Sequence, residues 1–305
     1  MMKKYSNYFI MLFVLFFTMH SCQKNTKQIT ETTKKGLLWQ ISKKGSKTSY
    51  LYGTMHIGDK KIIKLSETAI DELDKCEVMA GELVFDEKDV MGMMSGMFMG
   101  DTTLEMLLSE DEYQVVHKKL EAKMGVMAKI FERIKPIFIS VLLNEDLENP
   151  MDNKKPSILN KETKNLPLDL YLQKVAKEKN KEVVGLETVA EQMAAFNSIS
   201  LKEQAKSLYE TIQNDSKNEN SSLDMMIDLY CRQEIDSLYM LTTKSISPNS
   251  SDKLLVQRNK NMADRMEKIM ATKSLFTAVG AAHLAGSIGL IEIFRQRGYQ
   301  VKVVK

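Results

Sequence analysis

The sequence predicts an α/β fold: a central mixed sheet with two strand-GxxH units and long helical insertions. Three observations predict it. Short apolar runs stand near both ends of the chain, amphipathic stretches of helical period lie between them, and two apolar runs, Tyr50-Leu-Tyr-Gly-Thr-Met-His56 and Phe276-Thr-Ala-Val-Gly-Ala-Ala-His283, each lead into Gly-x-x-His. Composition agrees: 305 residues, 43% hydrophobic and 27% charged, with 14 Gly and 5 Pro, suit one or two closed cores and exclude fibrous or disordered chains. With 43 Lys and Arg against 40 Asp and Glu and no block of like charge, nucleic acid finds no electrostatic handle.

Taken in order, residues 37–41 and 49–53 flank a polar stretch with one glycine and read as a β-hairpin. Residues 65–75 follow as a helix, and 78–85 (VMAGELVF) as a strand. An amphipathic helix over 169–180, with Leu170, Leu172, Val175 and Ala176 mostly on one face, leads to a strand over 182–186. The continuous apolar run 275–279 (LFTAV) reads as a central strand buried on both faces. A helix over 288–297 is stopped by Gly298, and 299–304 closes as a strand. Helical insertions occupy about 103–147 and 189–272, the second broken by polar loops at 214–222 and 245–252.

The N-terminus reads as an address. Lys3 and Lys4 precede the apolar run 8–17, long enough for a signal peptide and short for a bilayer span. Ser21-Cys22 then resembles the bacterial lipoprotein signal, in which the cysteine is lipidated after cleavage; a simple cleaved signal with an incidental cysteine is the alternative. The expected organisation is a signal peptide over 1–21, a polar tether over 22–36 starting at the lipid-anchored Cys22, and one domain over 37–305. The expected location is outside the cytoplasm, anchored to a bacterial membrane. Cys76 and Cys231 are the other cysteines, so one bridge at most is available and no disulfide framework.

The chemistry is carried by the repeated motif. His56 and His283 each stand just beyond a strand, where α/β sheets bind ligands, after a glycine read as permitting a tight turn. A single histidine so placed is more often structural; the same placement twice points to a shared site. Two carboxylates sit comparably: Glu82, read as lying within its strand, and Glu187, directly after VVGL. A buried carboxylate needs a partner, a role for metal or histidine, although helix capping or a core salt bridge answers the same need. Imidazoles with carboxylates suit Zn, Mn, Co or Fe(II), and a divalent ion activates water for hydrolysis.

Gly53-Thr-Met-His56, the Glu82 strand, Asp169, Gly185-Leu-Glu-Thr188, Glu191-Gln192, Arg258-Asn259 and Gly280-Ala-Ala-His283 occur in an order that resembles the TraB/PrgY/GumN family, which includes the membrane-tethered TIKI proteases of animals. The resemblance spans about residue 37 to the C-terminus. It implies an α/β core of duplicated ancestry, distantly similar to erythromycin-esterase and ChaN-like haem-binding proteins, and in the TIKI branch a metal-dependent peptidase needing both GxxH histidines and a glutamate. Carried over, His56, Glu82 and His283 are metal ligands or catalytic groups, Glu187 is a further catalytic or pocket residue, and Arg258, Asn259 and Thr188 are substrate-binding residues. The expected cofactor is a divalent Mn, Co or Zn ion. The expected function is a membrane-anchored, metal-dependent hydrolase acting on a peptide or protein substrate, with Glu82 or Glu187 taking a proton at a pKa raised by apolar neighbours and Arg258 holding a substrate carboxylate or oxyanion. The rival reading is a non-catalytic lipoprotein that sequesters a peptide or haem.

Weaker signals remain. Met91, Met93, Met94, Met97 and Met99 suggest an apolar lid or helix start beside the site, with peptide, lipid or Cu(I) contact as alternatives. His117 reads as a solvated helix residue. Ala285-Gly-Ser-Ile-Gly289 lacks the first glycine of a nucleophile elbow, and HExxH, paired CxxC, P-loop and GxGxxG motifs are absent.

Overall fold

A computed structural model describes residues 35–57, 59–84, 87–144, 166–215, 222–243 and 252–304. The signal peptide, Cys22, nearly all of the tether and most of the two polar loops lie outside the described residues. The last tether residues are docked: Lys35 bridges to Glu234, and the Gly36 N–H donates to the Gln233 carbonyl. Among the described residues, no helix is long and apolar enough to cross a membrane.

The fold is α/β, built on a six-stranded mixed sheet. The strands are β1 (Leu38–Ser42), β2 (Ser49–Thr54), β3 (Val78–Gly81), β4 (Glu182–Gly185), β5 (Leu275–Gly280) and β6 (Gln300–Val303), in the order β4-β3-β5-β2-β1-β6. β4, β3, β5 and β2 run parallel; β1 pairs antiparallel with both β2 and β6. As its apolar run requires, β5 is central, and Leu275, Phe276, Thr277, Ala278 and Val279 are all buried. Helices Glu67–Asp74, Leu168–Glu178 and Gln257–Met270 pack against this parallel half, and Leu290–Gln296 covers β6.

The helical insertions gather a second apolar cluster, in which Met93 and Met97 of helix Glu87–Met97 pack among Tyr113, Leu120, Phe138, Met193, Phe196 and Leu255. Two of the methionines read as a lid are therefore core. His117 is not freely solvated either: its Nδ1 lies 2.7 Å from Glu132 Oε1 and its ring stacks on Tyr113. Cys76 and Cys231 are free thiols, so the bridge open to them is not made.

Two sequence expectations are corrected, one at a strand end and one on a helix face. β3 stops at Gly81, so Glu82 lies beyond its strand. A side chain at Gly81 would meet Gln173 Nε2 at 2.9 Å, and that nitrogen donates to the Leu83 carbonyl, drawing the chain out of the sheet. The pairing with the next segment persists for two more residues, through Leu186 N–H to the Gly81 carbonyl and Glu187 N–H to the Glu82 carbonyl. In helix Leu168–Glu178 the buried face carries Asp169 and Gln173 along with Leu168, Leu172 and Ala176, while Leu170 and Val175 are half-buried.

Candidate functional site

All four parallel strands end in a glycine or carry one at the penultimate position: Gly53 in β2, Gly81 in β3, Gly185 in β4 and Gly280 in β5. Each is followed by a site residue: His56 three positions on, Glu82 one, Glu187 two and His283 three. Register places Gly81 beside both Gly185 and Ala278, and Thr54 beside Gly280, so these ends lie along one edge of the sheet. The motif glycines do not serve left-handed turns; Gly280 has φ −51° and ψ 136°. They serve close approach. A Cβ on Gly53 would meet Ala281 Cα at 3.1 Å, so glycine lets the second motif's turn, Ala281–His283, lie directly on β2. A Cβ on Gly280 would sit 3.2 Å from Glu82 Oε1, 3.5 Å from His56 Nε2 and 3.7 Å from His283 Cδ2. Three groups separated by up to 227 positions thus surround one small space.

Each imidazole is held by its outer nitrogen. Asn259 donates Nδ2–H to the Ile288 carbonyl at 2.8 Å, which turns its Oδ1 toward His283 Nδ1 at 2.6 Å; Nδ1 then carries the proton and Nε2 is bare. His56 Nδ1 faces Asp169 Oδ1 at 3.0 Å, off the line of a straight hydrogen bond, and neither atom has another partner among the described residues. His283 Nε2 lies 3.7 Å from Glu82 Oε1.

Glu82 and Glu187 are joined by Arg258, at the N-terminal end of helix Gln257–Met270. Its Nε donates to Glu187 Oε1 at 2.8 Å, and its Nη2 to Glu187 Oε2 at 2.7 Å and Glu82 Oε2 at 2.9 Å, while Nη1 reaches the Leu254 carbonyl. The side chains of Arg258, Glu82 and Glu187 are 12%, 10% and 3% exposed. Glu82 Oε1 also accepts the Gly280 N–H at 2.6 Å.

Electrostatics follow. Burial alone raises a carboxyl, but positive charge from His283, Arg258 and His56 and the Gly280 N–H outweigh it, and Glu82 is held at about 2. Burial pushes His283 down to about 4, so at neutral pH the larger remaining positive charge beside Glu82 is that of Arg258. The expectation that apolar neighbours raise Glu82 is overturned; for Glu187, burial does prevail over Arg258 and the carboxyl is raised. Burial lowers His56, but the Asp169 and Glu82 carboxylates lift it above its ordinary value.

These groups open on a cleft continuous with solvent, whose polar lining includes Thr54, His56, Glu82, Gln192, Arg258 and His283. Phe196, Met226, Leu238, Leu254 and Leu255 form its apolar wall. The other expected substrate-binding residues lie elsewhere: Asn259 is fully buried behind His283, and Thr188 is the N-cap of helix Val189–Asn197, reciprocally bonded with Glu191. Arg258 lines the cleft with most of its donors already engaged. Asp169, Gln173 and Gln192 are further buried polar groups here; their signal in the sequence is a polar residue on the apolar face of a helix.

Among the described residues, no three or more His, Cys, Asp or Glu side chains form a ready-made ligand cage. The donor chemistry nevertheless suits a divalent cation. Glu82 and Glu187 share one guanidinium and a third carboxylate, Asp169, faces His56, a formal excess of two negative charges when the imidazoles are neutral. Both Nε2 atoms point inward with Nδ1 braced by an oxygen, the usual outer-shell arrangement of ligating histidines. Tetrahedral ligands at zinc-like bond lengths stand about 3.3 Å apart, so the 3.7 Å between His283 Nε2 and Glu82 Oε1 is a cradle open by a few tenths of an ångström.

The model of the TraB/PrgY/gumN family matches residues 37–303. Similar curated proteins include the Metalloprotease TIKI homolog of Nematostella vectensis, 22% identical over 95% of this chain and 70% of that protein. Metalloprotease TIKI2 of Danio rerio is 21% identical over 93% and 64%, and Metalloprotease TIKI1 of Xenopus tropicalis is 23% identical over 92% and 63%. The chain therefore spans about two thirds of the length of the relatives it matches. No solved structure matches.

Proposed function

The chain belongs to the TraB/PrgY/gumN family, and from that premise we propose that it is a metal-dependent peptidase whose divalent ion is held by His56, His283 and Glu82. One observation carries this reading: side chains from the ends of three different strands, β2, β3 and β5, converge around Gly280. The metalloprotease relatives support the class of reaction.

The residues divide the work. Asn259 and Asp169 brace His283 and His56 by their outer nitrogens, leaving both Nε2 atoms free to ligate. Arg258 and the Gly280 N–H keep Glu82 ionised and fixed in orientation. Glu187 anchors Arg258 against the sheet edge. A divalent ion bound there supplies an acidified water and polarises a carbonyl. The apolar wall excludes bulk solvent from one side of the cleft and receives part of a peptide.

The test is metal analysis of the purified domain, starting near residue 34, alongside peptide cleavage with and without chelator. His56→Ala and His283→Ala are each expected to lose bound metal and cleavage while melting within a few degrees of wild type. A metal-free protein whose cleavage survives chelator, or a Soret band on purification, overturns the reading. Anchoring through Cys22 belongs to the same proposal: Cys22→Ser is expected to release the protein from membranes on fractionation, and an unmodified N-terminus in the wild-type protein defeats it.

A further inference from the structure

Besides His56 Nδ1, which faces Asp169, two buried polar atoms of cleft-lining residues have no partner among the described residues. Gln192 is 5% exposed, and its Oε1 is buried and unpaired; Thr54 Oγ1, at the end of β2, is buried and unpaired as well. Both residues line the cleft that His56, Glu82 and His283 share. Leaving such an atom unpaired costs about 1–3 kcal/mol. Other buried carboxamides in the protein avoid that cost: Gln173 donates to the Leu83 carbonyl, Gln204 bonds Phe196, Ile199 and Ile137, and Asn259 uses both of its side-chain atoms. Gln192 Oε1 and Thr54 Oγ1 do not avoid it, and both residues line the cleft; the buried atoms of Glu72, Asp169 and Thr277 that also lack a hydrogen-bond partner belong to residues that do not line it.

The chemistry of that space narrows the ligand. A carboxamide offers one acceptor and one donor side by side, the complement of a peptide group, and a hydroxyl lining the same cleft takes either role. The adjoining wall of Phe196, Met226, Leu238, Leu254 and Leu255 suits an apolar side chain. We propose that the Gln192 carboxamide, with Thr54 Oγ1, binds the main-chain amide of a peptide and seats an adjacent apolar side chain against this wall. The inference rests on the peptidase reading of the same site and adds the substrate's recognised groups.

The experiment measures binding and cleavage separately. The binding probe is a dye-labelled Gly/Ser nonapeptide with one central Leu, titrated into the chelator-treated full chain by fluorescence anisotropy. Gln192→Met, close in shape, is expected to weaken binding about tenfold, the worth of one hydrogen bond, and Thr54→Val to weaken it severalfold. A probe with the Leu N–H replaced by an ester oxygen is expected to lose about the same factor on wild type and nothing further on Gln192→Met. Replacing the probe's Leu by Asp is expected to weaken binding to all proteins. Gln192→Met is expected to melt at or above the wild-type temperature, because it removes an unpaired buried atom; a purely structural glutamine gives the opposite shift. Equal affinity for Gln192→Met and wild type, a lowered melting temperature for Gln192→Met, or no binding by wild type overturns the inference. Binding that depends on Gln192 without cleavage by the metal-loaded protein upholds it and removes the peptidase reading. Cleavage with an unchanged KM in Gln192→Met overturns the inference and leaves that reading standing.

Discussion

Gly280→Ala separates metal binding from folding. The backbone there, φ −51° and ψ 136°, accepts alanine without strain. Lost freedom in the unfolded chain favours the variant by about 0.4–1 kcal/mol. Against this stands the new methyl, 3.2 Å from Glu82 Oε1, 3.5 Å from His56 Nε2 and 3.7 Å from His283 Cδ2. Glu82 is pinned by Arg258 and the Gly280 N–H, so it yields by only a few tenths of an ångström, and the two effects leave stability within about 1 kcal/mol of wild type. The melting temperature is expected to move by less than about 4 °C. Metal is affected differently, because an ion needs ligand bonds of about 2.0–2.2 Å in the space the methyl now crowds. Metal content after equilibrium dialysis is expected to fall at least tenfold. Gly53→Ala is the control: its Cβ meets Ala281 Cα at 3.1 Å and Leu284 Cδ2 at 3.0 Å, contacts that include backbone, and overpacking costs about 1–3 kcal/mol. It is expected to melt lower and keep its metal while folded. Stoichiometric, undiminished metal in Gly280→Ala refutes the assignment of the ion to these three groups.

Other expectations follow from the same geometry. Arg258→Met leaves Glu82 and Glu187 buried without their shared cation, a loss of about 3–5 kcal/mol that urea unfolding will read; a loss below about 1 kcal/mol contradicts a buried ion pair. Glu77 is held at about 2 by the Lys47 ammonium and by the Ser274 N–H and hydroxyl, so its folded pKa is depressed. Its contribution to stability is present above the ordinary carboxylate range and disappears as pH falls through the folded value. An NMR titration is expected to show a midpoint near 2 that rises in Lys47→Met. Burial pushes the Cys76 thiol up to about 12, so an alkylating reagent at neutral pH is expected to label Cys231 first and leave Cys76 unmodified in the folded domain; rapid double labelling contradicts the buried position of Cys76.

Much of the architecture was determined by local pattern. An apolar run such as LFTAV has no amphipathic alternative, so it specifies a strand covered on both faces, and β5 is that strand. The GxxH repeat likewise marked two histidines for the sheet edge, because a residue just past a parallel strand has few other places to go. Element ends were less legible. Glu82 reads as strand by composition, but β3 ends at Gly81, four residues short of the expected end, where Gln173, ninety-two positions away, packs against the glycine. The same limit hid Gln173, and it hid the roles of Asp169 and Gln192, which the resemblance names without a task, since a polar residue on an apolar helix face reads as an interruption until its partner, or its missing partner, is seen in three dimensions. The roles of Arg258 and Asn259 were decided by tertiary structure alone. One helix end delivers the cation that joins Glu82 to Glu187 and the amide that turns His283. Burial and orientation depend on which elements meet, and only the order of strands in the sheet brings residues 56, 82, 187, 258 and 283 to one edge.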